Sequence, residues 1–135
     1  MTRVLVLLLA VLAFAVAGCG GSDNGESEGS QTTAAESGDH GTKDVSGQDE
    51  AELELDDNYF EPTVLKGTPG QKIRLELKNE GGAEHNFSLD DQGIDQDVDI
   101  GEDGEVDVTF PDSGELEFYC SYHRQLGMTG KLEAG

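Results

Sequence analysis

An all-β sandwich or barrel of short antiparallel strands is the fold class this sequence predicts for residues 51–135. Three observations lead there. Apolar and polar residues alternate with period two in several short runs. Turn formers bound each run, at roughly ten-residue spacing. No stretch carries a convincing 3.6-residue period, and 19 glycines in 135 residues disfavour helix.

The runs follow one another along the chain. Leu53 and Leu55 alternate with Glu52, Glu54 and Asp56. Ile73, Leu75 and Leu77 alternate with Lys72, Arg74, Glu76 and Lys78, between the turns Gly67 to Gly70 and Asn79 to Gly82. Val106, Val108 and Phe110 alternate with Glu105, Asp107 and Thr109 after the Gly101 to Gly104 turn. Leu116 and Phe118 alternate with Glu115 and Glu117 after Pro111 to Gly114. Each run therefore has one face for a core and one charged face, mostly acidic outside residues 72–78, for water. Some 85 residues are enough to fold alone.

The rest of the chain divides into two parts. Residues 1–18 hold Arg3 and then fourteen apolar residues from Val4 to Ala17. That is too short for a membrane span and right for the apolar part of a signal peptide. The run closes on Val16-Ala17-Gly18-Cys19, which resembles the lipobox of bacterial lipoproteins. The resemblance implies a lipidated Cys19 as the mature N-terminus, and so an extracytoplasmic, lipid-anchored protein. Residues 19–50 then read as an acidic, Gly/Ser-rich linker. From position 20 to 50 there are seven Gly, five Ser, eight acids and one base, Lys43, among few apolar side chains. Such a segment buries too little surface to offset its ordering entropy, and its charges repel. His40 falls in it and reads as a solvated histidine.

Charge excludes some functions. Acids number 29 against 8 Lys and Arg, for a formal charge of −21. Nucleic-acid binding needs clustered cations, and the chain has none. Docking onto anionic lipid by charge is equally disfavoured. High like charge favours a monomer.

The densest chemistry lies in Phe118-Tyr119-Cys120-Ser121-Tyr122-His123-Arg124-Gln125-Leu126-Gly127-Met128. A thiolate, an imidazole and a thioether fall within nine residues. Gly127 predicts a return of the chain before Met128, so that the loop's ends can meet round one point. Soft sulfur ligands with borderline imidazole suit copper better than a hard ion. A trigonal site needs a second imidazole. His85, opening the run His85-Asn86-Phe87-Ser88-Leu89 after a turn, is the natural partner. Two His, one Cys and a weaker axial Met are the blue-copper set. Taken singly, Cys120 and Met128 read as core residues and His85 as an ordinary strand histidine. Finding His at +3 and Met at +8 of a Cys by chance, however, is roughly a one in 3000 event in this composition.

The pattern Cys-x2-His-x4-Met followed by Gly-Lys, here Cys120 to Lys131, resembles the copper loop of plastocyanin and related small cupredoxins. His85-Asn86 matches the upstream ligand and its neighbour, and Phe60-Glu61-Pro62 with Gly67 and Gly70 resembles the start of many bacterial members. The resemblance covers roughly residues 51–134. It implies a cupredoxin-like Greek-key sandwich of about eight strands with one copper ion at one end. His85, Cys120 and His123 would be equatorial ligands and Met128 the axial one. Asn86 would tie the ligand segments together by hydrogen bonds, and Tyr119 would lie on a second electron route. Two positions depart from the family pattern. Glu84 replaces the usual Pro before the first His, and Tyr122 a common Pro before the second.

With four protein ligands no position is open for a substrate, so the sequence reads as an electron carrier and not an enzyme. The resemblance also implies that His123 is the ligand near solvent, in an apolar patch with Leu126 and Gly127. Asp90, Asp91, Asp95, Asp97, Asp99, Glu102 and Asp103 form an acidic run, which reads either as steering toward a basic redox partner or as solubility in high salt. The alternative readings are an extracytoplasmic copper-handling protein and a cupredoxin-like accessory domain without electron traffic.

Overall fold

The computed structural model describes residues 38–135; the expected signal peptide, Cys19 and the expected linker up to residue 37 lie outside the described residues. In chain order the strands are β1 (Thr42–Asp44), β2 (Glu50–Asp56), β3 (Tyr59–Glu61), β4 (Val64–Gly67), β5 (Lys72–Asn79), β6 (His85–Leu89), β7 (Ile94–Val98), β8 (Asp103–Thr109), β9 (Glu115–Tyr119) and β10 (Thr129–Ala134). They form a six-stranded sheet, β1-β4-β10-β9-β6-β7, and a four-stranded sheet, β3-β2-β5-β8.

The alternation read from the sequence is the alternation of burial. Along β5, Ile73, Leu75 and Leu77 are buried while Lys72 and Arg74 are exposed. Leu53 and Leu55 of β2, Val106 and Val108 of β8, and Phe118 of β9 join them in one core. Phe118 packs edge-on against Phe60, with ring centroids 5.0 Å apart.

Three features differ from the expectation. The described residues hold ten strands, not about eight. The sheets are mixed: β1 and β10 both run parallel to β4, and β2 runs parallel to β5. The chain crosses between sheets after β1 and again after β4, and such crossovers let strands return in the same direction.

The third difference is the boundary of the linker, which ends earlier than residue 50. β1 pairs with β4, and Val45 is completely buried. Val45 N–H donates to Lys66 O at 2.8 Å, and Gln71 Nε2 donates to Val45 O at 2.8 Å. One buried valine and a short edge pairing are enough to order a stretch whose average composition is that of a tether. His40 is likewise not free in solvent. Its ring stacks on Tyr59, with centroids 3.6 Å apart and planes 8° from parallel.

Candidate metal centre

His85 is the first residue of β6, and Cys120 follows the last residue of β9. The two strands are neighbours, joined through the pair Ser88–Tyr119. Topology therefore brings together two side chains 35 residues apart. Both are completely buried.

The turn before β6 is built by Asn79, which the sequence marked only as a turn former. Its side-chain amide donates to Ala83 O and Val98 O, both at 2.9 Å, and its Oδ1 accepts the Gly81 N–H at 3.0 Å. Gly81 needs to be glycine, because a Cβ there would stand 2.6 Å from His85 Nε2. Asn79 and Gly81 thus fix how the His85 ring enters the site.

Backbone hydrogen bonds close the loop after β9. Cys120 N–H donates to Met128 O at 3.1 Å, His123 N–H to Cys120 O at 3.2 Å, and Met128 N–H to His123 O at 3.3 Å. A single 3-10 turn, Arg124–Leu126, is ended by Gly127 at φ 93°, a left-handed conformation that glycine adopts without steric cost. The chain return expected at Gly127 is therefore present. Met128 is completely buried and held by its backbone to both Cys120 and His123.

The side chains converge. Cys120 Sγ lies 4.0 Å from His85 Nδ1 and 3.5 Å from His123 Nδ1. The three donor atoms all lie within 4.8 Å of one another. Ligand atoms on one trigonal ion, at bonds of about 2.0–2.3 Å, stand roughly 3.5–4 Å apart. The two sulfur-to-nitrogen distances and the donor chemistry fit a single soft or borderline transition-metal ion, and copper above all. Burial first, then the neighbouring His123, holds the His85 imidazole below its usual pKa. That keeps His85 in the neutral form a metal requires. His85 and Cys120 are closed off from solvent, whereas His123 is partly exposed.

The residues around the donors form a polar frame. Asn86 Oδ1 accepts the Ser121 N–H at 3.2 Å, so the link expected of Asn86 exists. Its amide Nδ2 donates to Asp95 at 2.7 Å and to Asp97 at 3.1 Å, and Ser88 Oγ donates to Asn86 Oδ1. Asn86 sits opposite Asp97, and Ser88 opposite Asp95, in the β6–β7 ladder. Tyr122, in place of the family's proline, donates its hydroxyl to Asp97 at 2.7 Å. Tyr119 donates to Asp90 at 2.8 Å, and the Arg124 guanidinium lies 4.0 Å above its ring. Part of the acidic run is thus bound into the site.

The sequence reading missed this use of Asp95 and Asp97. The available signal was Asn86 and Ser88 at alternate positions of an otherwise apolar strand, which require polar partners across the ladder. One member of the expected apolar patch is also misplaced. Leu126 is 65% exposed, but Gly127 is buried beneath the turn.

Comparison with known proteins agrees with this geometry. The cupredoxin-like domain family matches residues 7–133. Plastocyanin B of Populus nigra is 35% identical over 85 residues, covering 54% of this chain and 49% of that protein, so the chain spans about half of that relative's length. Plastocyanin of Sambucus nigra is also 35% identical over 85 residues, covering 54% of this chain and 84% of its own. Among solved structures, auracyanin B superposes with a TM-score of 0.54 at 20% identity, over 64% of this chain and 88% of that one.

Proposed function

Because the chain belongs to the cupredoxin-like domain family, we propose that it is an extracytoplasmic, lipid-tethered carrier that binds one copper ion and passes single electrons between redox proteins. The observation that carries this reading is the meeting of one imidazole nitrogen each from His85 and His123 with the Cys120 Sγ, all within 4.8 Å, with Met128 closing the same loop. Copper held there supplies a one-electron couple.

The chain's own residues do the rest. His85, Cys120 and His123 would hold the ion, with Met128 as the fourth donor, which would leave no position for a substrate. Burial of three of the four keeps water and small substrates away from it. The Ser121 N–H bond to Asn86 Oδ1 and the backbone bonds of the loop keep the donors in place, so that little rearrangement would accompany electron transfer. His123, partly exposed, is the point of closest approach for a partner. Tyr119, next to Cys120 and at the surface, offers the second route.

The surface about His123 fits a protein partner. Among the described residues the exposed large apolar side chains are Ile100, Tyr122 and Leu126. Tyr122 and Leu126 belong to the ligand loop, and Ile100 to the β7–β8 turn that follows Val98, the partner of His85. The acids of β7 and its flanking turns border them. A partner with an apolar contact face and a basic rim suits this surface.

Cyclic voltammetry of the copper-loaded full chain tests the function. The reading expects one reversible one-electron wave, and a chain that binds copper without such a wave is a copper-handling protein instead. The tether is tested separately by membrane fractionation. Cys19→Ser should move the protein from the membrane to the soluble fraction, and equal membrane association of both forms would refute lipidation.

A further inference from the structure

We infer that Asp97 and Tyr122 form a strap that positions His123, a role that rests on the copper-site reading and adds two positioning residues to it. The Tyr122 hydroxyl reaches from the ligand loop across 25 residues of sequence to Asp97 Oδ1 on β7, at 2.7 Å. Asp97 Oδ1 also accepts from Asn86 Nδ2, and Asn86 Oδ1 accepts the N–H of Ser121, the residue before Tyr122. The four groups close a ring: loop backbone at Ser121, Asn86 on β6, Asp97 on β7, and back to the loop through Tyr122.

The strap acts on the most exposed part of the site. Ser121, Tyr122, Arg124, Gln125 and Leu126 are all exposed, so packing does little to fix this side of the loop. His123 itself is held through backbone bonds of the turn, from its N–H to Cys120 O and from Leu126 N–H to its own carbonyl. The Tyr122 ring lies edge-on to the His123 ring, with centroids 6.4 Å apart at 80°. Fixing the Tyr122 hydroxyl therefore fixes both the backbone before His123 and one flank of its imidazole. Asp95 makes the strap separable from the rest of the frame. It holds Asn86 Nδ2 at 2.7 Å, so Asn86 keeps an acceptor when Asp97 is removed.

A double-mutant cycle on the full chain tests the strap, first without metal. Amide exchange of His123 reports opening of its bond to Cys120. Tyr122→Phe should speed that exchange by roughly five- to tenfold, the factor expected for loss of one ordinary hydrogen bond, and Asp97→Ala by at least as much. The double variant should be no faster than Asp97→Ala alone, because Asp97→Ala already removes the bond that Tyr122→Phe removes. Asp97→Asn keeps an acceptor oxygen and should recover part of the protection. With Cu(II) added, Tyr122→Phe should shift the thiolate-to-copper absorption. Unchanged His123 exchange in the single variants, additive effects in the double, or an absorption spectrum identical to wild type would overturn the strap. If the wild-type chain shows no such absorption, the copper reading has failed, and the exchange rates alone decide the strap.

Discussion

The side-chain oxygen of Asn86 accepts the backbone N–H of Ser121 at 3.2 Å. A strand residue beside one metal-binding histidine thereby holds the backbone between the cysteine and the other histidine. Asn86 is 1% exposed, so this bond is made away from water. Asn86→Ala would leave the Ser121 N–H and the two β7 carboxylates short of a partner. A loss of about 1–3 kcal/mol is expected in urea denaturation of the metal-free chain. An unchanged midpoint would mean that the frame contributes nothing to stability.

Val45 distinguishes a tether from a strand. Val45→Ala in the full chain removes two buried methyl groups and should cost about 2 kcal/mol by chemical denaturation. A neutral effect would return residues 42–45 to the linker.

All three tyrosines of the chain donate to an aspartate: Tyr59 to Asp56, Tyr119 to Asp90 and Tyr122 to Asp97. The bond to the carboxylate pushes the Tyr59 and Tyr122 phenols up to about 12 and raises that of Tyr119. The folded values lie above the unfolded value of about 10. The stabilisation these bonds give is complete below pH 10 and is lost as pH rises from there toward 12. Tyrosinate absorbance of the folded chain should show all three groups titrating above their ordinary value, Tyr59 and Tyr122 near 12, and Tyr59→Phe should flatten the loss of stability above about pH 10. A tyrosine with an ordinary midpoint would contradict one of these bonds.

The acids flanking the site predict salt-dependent association. Raising ionic strength from 0.01 M to 0.15 M shortens the screening length from about 30 Å to about 8 Å. The bimolecular electron-transfer rate with a basic redox protein should fall several-fold over that range. A rate indifferent to salt would leave the charge to solubility alone.

Much of this was legible in the residues, for identifiable reasons. Period-two alternation exposed β2, β5, β8 and β9, because each has one dry face and one wet one. Cys120, His123 and Met128 were legible because their spacing is local, and His85 because only three histidines exist. β7 escaped notice: Ile94–Val98 carries Asp95, Gln96 and Asp97, and its place was set by pairing with β6. The use of Asp97 by Tyr122 depends on a contact between distant segments, which no local pattern records. β1 was hidden because the composition of residues 19–50, averaged together, outweighed the single buried Val45.

The most direct measurement is the visible spectrum of the full chain with Cu(II), before and after ascorbate, beside that of Cys120→Ser. The structure predicts an intense blue band that bleaches on reduction and is absent from the serine variant. A folded wild-type chain without that band, or a band that survives in Cys120→Ser, would contradict thiolate-bound redox copper at this site.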